Sequence, residues 1–364
     1  MKVLFYVSGH GFGHATRMFA IMDALIAMEP TAHIYVRTGV PKRLFEGLPT
    51  SFFNHYKVTL DTGAVEKDLF SQDVYCTLSR YSEIRASQDR IVDAEAKFVK
   101  NERIDVIVSD IPPLASEVGQ AAGVPTVAIG NFSWDFIYEP YVHSYPSFAG
   151  LIDEIRASYE KTDMLLRLPF HDEMTAFPRQ RDIPLVVRKQ VAGPEETRSR
   201  LGIHPGDPRS IILVALRTYE VIPPRAIQEL AQSDEFIVLS FDPLPFKAEG
   251  GVHVLSPQWQ PSEFPDVIGI SDLAISKLGY GIVSECVAGR TPLMYIPRDD
   301  FAEYELLRSG MTEVLPSYLM PRDDFLQGRW YNHVKTFLST QFTWPAVRID
   351  GAEVAAGVIL SYAT

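Results

Sequence analysis

The stretch SGHGFGHATR, residues 8–17, sets two histidines four positions apart among three glycines. It follows the apolar run Val3-Leu4-Phe5-Tyr6-Val7 and leads into a segment with helical spacing from Ala15. That context places His14 at the start of a helix just past a strand end, where residues face ligand in α/β proteins. A helix N-terminus disfavours an imidazolium, so His14 is expected as the neutral ring a general base requires. His10 is expected to position substrate; the competing reading is that both rings only cap the turn and the helix. As a dinucleotide fingerprint the stretch fails. From Gly9 it reads G-x-G-x-x-H, with His14 where the third glycine belongs, and Arg37 ends the second strand in place of the acid that holds an NAD ribose. Arg37 suits a 2′-phosphate, which weakens NADP without excluding it, and no G-x-x-x-x-G-K-[ST] phosphate loop occurs.

A second candidate lies in SKLGYGIVSE, residues 276–285. A strand is expected to end at Ser276 and a helix to begin near Tyr280, with Gly279 and Gly281 freeing the backbone between them. The N–H groups of Tyr280, Gly281 and Ile282 would then point at an anion, the natural seat of a diphosphate at a helix start. Lys277 adds a point charge. Glu285 lies about one turn further in, where an ionised carboxylate can accept from both vicinal hydroxyls of a ribose. The alternative for Glu285 is a simple partner of the helix dipole.

Both loops need strands and helices to aim them. Short β-branched or aromatic runs recur, each followed by a helical segment: VLFYVSG, HIYVRTG, IDVIVSD and TVAIGNF, then SIILVALR, EFIVLSF, DLAISKLG and PLMYIPR. That alternation predicts βαβ units, parallel sheets and two doubly wound domains in tandem. Residues 182–210, rich in Pro, Gly and charge, read as a linker with the boundary near Lys189. The expected division is 1–189, 190–345, and a last helix within 346–364. Asp350 and Glu353 open that helix in a capping-box pattern, and it could pack on either domain. Strand carboxyl ends from the two domains would line one interdomain cleft.

Composition narrows the functions. The 364 residues are 46% hydrophobic, enough for two ordinary cores, and 46 acidic against 34 basic residues give a net charge of −12. Such a balance argues against a nucleic-acid surface, though not against a local basic pocket. Cys76 and Cys286, far apart, suggest neither a disulfide framework nor a zinc site. The apolar run after Met1-Lys2 is too short for a signal-peptide core and no stretch approaches a membrane span, so a cytoplasmic location is expected.

Six stretches in order carry a resemblance: SGHGFGHATR, LDTGAV (60–65), VSDIPPLA (108–115), NFSWDFIYEPY (131–141), DIPLVVR (182–188) and SKLGYGIVSE. Together they resemble the glycosyltransferase-like module of arabinokinase-type proteins and, more distantly, GT-B glycosyltransferases such as the peptidoglycan N-acetylglucosaminyltransferase. The match runs from residue 3 to about residue 310 of the sequence. The kinase half of arabinokinase-type proteins has no room here, so sugar-kinase activity is not expected of these residues.

What the resemblance implies is a GT-B fold of two Rossmann-like domains facing a cleft. The first domain would bind the acceptor and the second a nucleotide-sugar donor, without an obligatory metal or other cofactor. His14 matches the histidine that deprotonates the acceptor hydroxyl in inverting members, and Asp110 the aspartate that supports it. His10, Gly11, Phe12, Gly13, Trp134 and Asp135 fall on the acceptor side. On the donor side, Gly279-Tyr280-Gly281 matches the diphosphate turn, with Lys277 beside it, and Glu285 the ribose ligand. Asp299 or Glu303 would touch sugar hydroxyls, and Trp259 would stack on the base. One departure stands out: Ala215-Leu216-Arg217-Thr218 replaces the glycine-rich turn after the first strand of the second domain, and Arg217 could hold a phosphate through its guanidinium fork.

The sequence thus predicts a metal-independent glycosyltransferase using a nucleotide-diphosphate sugar, UDP-linked, with an unidentified hydroxyl acceptor and His14 as base. Two other readings use the same cleft: a sugar-nucleotide 2-epimerase, and a nucleotide-sugar-binding module without catalysis.

Overall fold

The computed structural model describes residues 1–216, 222–240, 252–254 and 259–363. Seven strands form the first sheet: β1 (Lys2–Val7), β2 (His33–Thr38), β3 (Phe53–Lys57), β4 (Val106–Asp110), β5 (Thr126–Gly130), β6 (Met164–Arg167) and β7 (Gln180–Asp182). They are parallel, in the order β3-β2-β1-β4-β5-β6-β7. The second sheet is formed by β8 (Ser210–Ala215), β9 (Phe236–Ser240), β10 (Val252–Val254), β11 (Leu273–Lys277), β12 (Leu293–Ile296) and β13 (Ser317–Leu319), also parallel, in the order β10-β9-β8-β11-β12-β13. Their central strands are buried on both faces, which is why they read as near-continuous apolar runs rather than alternating ones.

In each sheet the strand order reverses beside the first strand, between β1 and β4 and between β8 and β11. Such switch points open the crevice in which α/β sheets bind ligands. The register makes this concrete. Val7 lies opposite Asp110, and the Ser8 N–H donates to the Asp110 carbonyl at 2.7 Å, so the glycine loop starts beside that aspartate. In the second sheet Lys277 pairs with Ile296, bringing the loops after β11 and β12 side by side.

One continuous apolar cluster runs from Val3, Met18 and Ile21 through Tyr280 and Val283 to Ala355 and Ile359. Packing of this extent holds the two sheets in a fixed relation. The last helix, Gly351–Tyr362, lies against the first, Gly13–Met28, and Asp350 bridges to Val186. A β-carbon at Gly351 would fall 2.1 Å from the Pro184 carbonyl oxygen, so the close approach of this helix to DIPLVVR needs a glycine.

Candidate active site

The helix Gly13–Met28 starts at the glycine loop and carries His14 and Arg17 one turn apart on its buried face. Both reach Asp110 at the end of β4. Arg17 donates from Nε to Asp110 Oδ2 at 2.7 Å and from Nη2 to Oδ1, a side-on clamp, and from Nη1 to Asn131 Oδ1 at 2.8 Å. His14 Nδ1 lies 2.8 Å from Asp110 Oδ1. Arg17 Nη2, a donor only, also lies 3.0 Å from Nδ1, but Nη2 is already committed to Asp110 Oδ1, and the shorter contact is to the carboxylate, which only accepts, so we assign the proton to Nδ1. In the neutral ring Nε2 then carries the lone pair, and it has no hydrogen-bond partner among the described residues. Burial pushes the Asp110 carboxyl upward, but the Arg17 guanidinium and then His14 outweigh it and hold it below the ordinary carboxylate range.

Across the cleft, the helix Tyr280–Gly289 begins after Leu278 and Gly279. The two helix starts nearly touch: a β-carbon at Gly281 would lie 3.4 Å from Thr16 Oγ1 and 3.7 Å from Gly13 Cα. Nothing lies within 4 Å of the β-carbon positions of Gly11, Gly13 or Gly279, which leaves the backbone there open. The Arg17 guanidinium sits over the Tyr280 ring at 5.4 Å, tying the His14 network to the facing turn. A cavity of about 930 Å³ opens between them, lined by His14, Phe12, Lys277, Gly279 and Trp259 among others. Two helix N-termini converging on it make it attractive to anions.

Most of the residues singled out in the sequence lie on this cavity: His10, Gly11, Phe12, Gly13 and His14 on one wall, Trp259, Lys277, Gly279, Tyr280, Gly281, Glu285 and Glu303 on the other. Trp259 carries the Arg200 guanidinium 4.2 Å over its ring. Glu285 is buried and accepts from Arg188 Nε through Oε1 at 2.6 Å, while Arg188 Nη1 donates to the Pro261 carbonyl. Glu303 accepts from Asn131 Nδ2 at 2.8 Å, linking the second half of the chain to the Arg17 network. Three expected ligand contacts are corrected by the structure. Trp134 is fully buried behind the wall, its indole N–H donating to Asp61 Oδ2 at 2.9 Å. Asp135 is buried and paired with Arg156 at 3.0 Å. Asp299 turns away to Arg322 at 2.7 Å. Arg217 lies outside the described residues. The sequence reading missed Arg17, Asn131, Arg188 and Arg298; only Arg17, one turn after His14, had a local signal.

On the first wall, Ala64 N–H donates to His10 Nδ1 at 3.2 Å, fixing the neutral ring's proton on Nε2. Gly63 makes this approach possible, with φ +62° and a β-carbon position only 2.3 Å from the His10 Cβ. Burial, then the positive charges of Arg298 and Lys277, hold the His10 pKa well below its ordinary value. The unfolded chain therefore takes up a proton near the ordinary histidine value while the folded ring does not, and stability falls as pH drops through that value. This ring is therefore expected to make the protein less stable at about pH 5.5 than at about pH 7. Urea unfolding at both pH values checks it: His10→Asn should lose less than wild type, and equal losses would reject the assignment.

Residues 1–198 match the family described as Glycosyl transferase family 1. Over 372 residues the chain is 31% identical to L-arabinokinase from Arabidopsis thaliana, covering 98% of this chain and 34% of that protein. The chain therefore spans about a third of the length of this curated relative. Among solved structures, the glycotransferase of kitacinnamycin superposes with a TM-score of 0.64 at 14% identity, covering 100% of this chain and 99% of that one. A UDP-glucosyltransferase from Polygonum tinctorium, capable of glucosylating indoxyl, gives 0.62 at 14% identity, over 100% and 98%. A Listeria monocytogenes protein assigned as a UDP-N-acetylglucosamine 2-epimerase gives 0.58 at 13%, over 99% and 95%. These likenesses give the fold, GT-B: two parallel-sheet α/β units around a cleft.

Proposed function

The chain belongs to glycosyl transferase family 1, and from that premise we propose that it transfers a sugar from a UDP-linked nucleotide sugar to an acceptor hydroxyl, with His14 as general base. The convergence of the His14–Asp110–Arg17 network and the Gly279–Gly281 helix start on one cavity carries this reading. The base would lie against Trp259, the ribose against Glu285, and the diphosphate at the helix N-terminus beside Lys277. His14 Nε2 takes the acceptor proton as the acceptor oxygen bonds to the anomeric carbon. The bond from that carbon to the diphosphate oxygen breaks, and the electron pair leaves with UDP. Asp110 holds the ring orientation and stabilises the imidazolium so formed. The diphosphate charge is met by the helix start and Lys277, so the step needs no metal ion.

Calorimetric titration with UDP tests the donor side. Glu285→Gln retains an oxygen for Arg188 and is expected to weaken UDP about tenfold by losing charge-assisted bonds to the ribose. No binding to wild type, or equal binding to the variant, would overturn the assignment. A 2-epimerase on this fold would instead release an epimerised sugar nucleotide with no acceptor present, which product analysis by NMR detects. A module without catalysis would bind UDP and turn over nothing.

A further inference from the structure

Arg298 follows β12 at the rim of the cavity and is buried, yet two of its guanidinium nitrogens, Nε and Nη2, have no hydrogen-bond partner among the described residues. These form the side-on edge of the guanidinium. Elsewhere in this chain that same edge grips a carboxylate with two bonds: Arg17 on Asp110, and Arg209 on Asp207 at 2.9 and 2.7 Å. The face of Arg298 is covered by Phe301, 4.0 Å from the ring centroid. Its nearest acid is Glu66, whose Oε1 is 3.7 Å from Nη2, too far for a hydrogen bond, and also pairs with Lys277. Glu66 is exposed, on the loop that leads away from Gly63. A buried guanidinium edge left unpaired is costly, and such groups in native proteins have a partner.

We propose that Arg298 forms a subsite for an oxyanion, a carboxylate or phosphate, on the transferred sugar or on the acceptor, and that Glu66 holds the place of this group until it arrives. The position favours the reacting end of the substrate over the diphosphate. Phe301, whose ring covers the Arg298 guanidinium, also lies against His10 on the first wall of the cavity, with 5.4 Å between ring centroids. The other acid facing Arg298, Glu303, already accepts from Asn131. The subsite gives the proposed transferase a preference for anionic substrates, and it rests on that reading for the identity of the donor.

Titration of the whole chain with UDP, UDP-glucose and UDP-glucuronate separates the two. UDP-glucuronate is expected to bind about tenfold more tightly than UDP-glucose if the anion travels on the donor. If it travels on the acceptor, the two donors bind alike, and glucuronate binds the UDP-saturated protein about tenfold more tightly than glucose does. Arg298→Gln abolishes whichever preference is found while keeping UDP affinity within about twofold, Arg298→Lys restores part of it, and Glu66→Gln enlarges it by removing the competing carboxylate. UDP binding with no preference for the anionic member of either pair overturns the subsite and leaves the transferase reading intact. If no nucleotide binds, the donor assignment falls. Glucuronate or inorganic phosphate alone then decides the subsite, which fails if Arg298→Gln binds either as wild type does.

Discussion

His14→Ala is expected to lower turnover about 10²- to 10⁴-fold while leaving UDP affinity within about twofold. The separation follows from where His14 stands. Its Nδ1 is committed to Asp110 and its ring lies on the first wall of the cavity, whereas the proposed ribose and diphosphate contacts come from the second. Loss of the ring therefore removes the group that takes the proton and nothing that seats the donor. Asp110 remains clamped by Arg17, so the variant keeps its buried ion pair and should fold. UDP release from the donor, to water or to an added acceptor, reads the rate, and calorimetry reads the affinity. A wild-type rate would reject His14 as base. A parallel loss of rate and UDP affinity would mean that the ring organises the cleft instead.

Much of this site was legible because its parts are local. A glycine loop after an apolar run, a histidine at a helix start and a second glycine turn before a helix each occupy about ten residues, and parallel-sheet topology brings such loops to one edge. Asp110 was within reach for the same reason, since VSD ends a strand. Other features depend on long-range packing, which residue spacing does not encode. Nothing in the spacing tells that Arg17 finds Asp110, because the bond requires β4 to lie beside β1. The resemblance puts Trp134 on the acceptor side, whereas its burial and its bond to Asp61 place it in the core instead. Adjacent residues also diverge: Asp299 pairs outward with Arg322, while Arg298 stays buried, with Nε and Nη2 lacking a hydrogen-bond partner among the described residues. Charge-bearing residues in one loop share chemistry on paper, and only burial sorts them into substrate contacts and surface pairs.

Asp110→Ala is expected to be the most damaging single substitution in the cleft, because it removes one carboxylate from two buried cation-forming partners at once. Arg17 is 4% exposed and would keep Asn131, the face of Tyr280 and the His14 ring, none of which carries a compensating negative charge. Breaking a buried ion pair from one side costs about 3–5 kcal/mol, since the remaining charge is stranded. Turnover should fall at least as far as in His14→Ala, for His14 loses the acceptor that fixes its tautomer and stabilises its protonated form. The sign of the pH dependence follows from the same pair. With its folded pKa held below the ordinary carboxylate value, Asp110 stabilises the protein above that value and loses the contribution as pH falls through the folded one. Acid unfolding of Asp110→Asn should therefore lack this component. The amide also separates the two roles, because it keeps the shape but turns an N–H donor toward Arg17 or toward His14. Thermal unfolding and UDP-release rates measured together on Asp110→Asn and Asp110→Ala decide the outcome. A variant as stable as wild type with wild-type turnover would sink the network, and a stable variant with lost turnover would assign Asp110 to the orientation of His14.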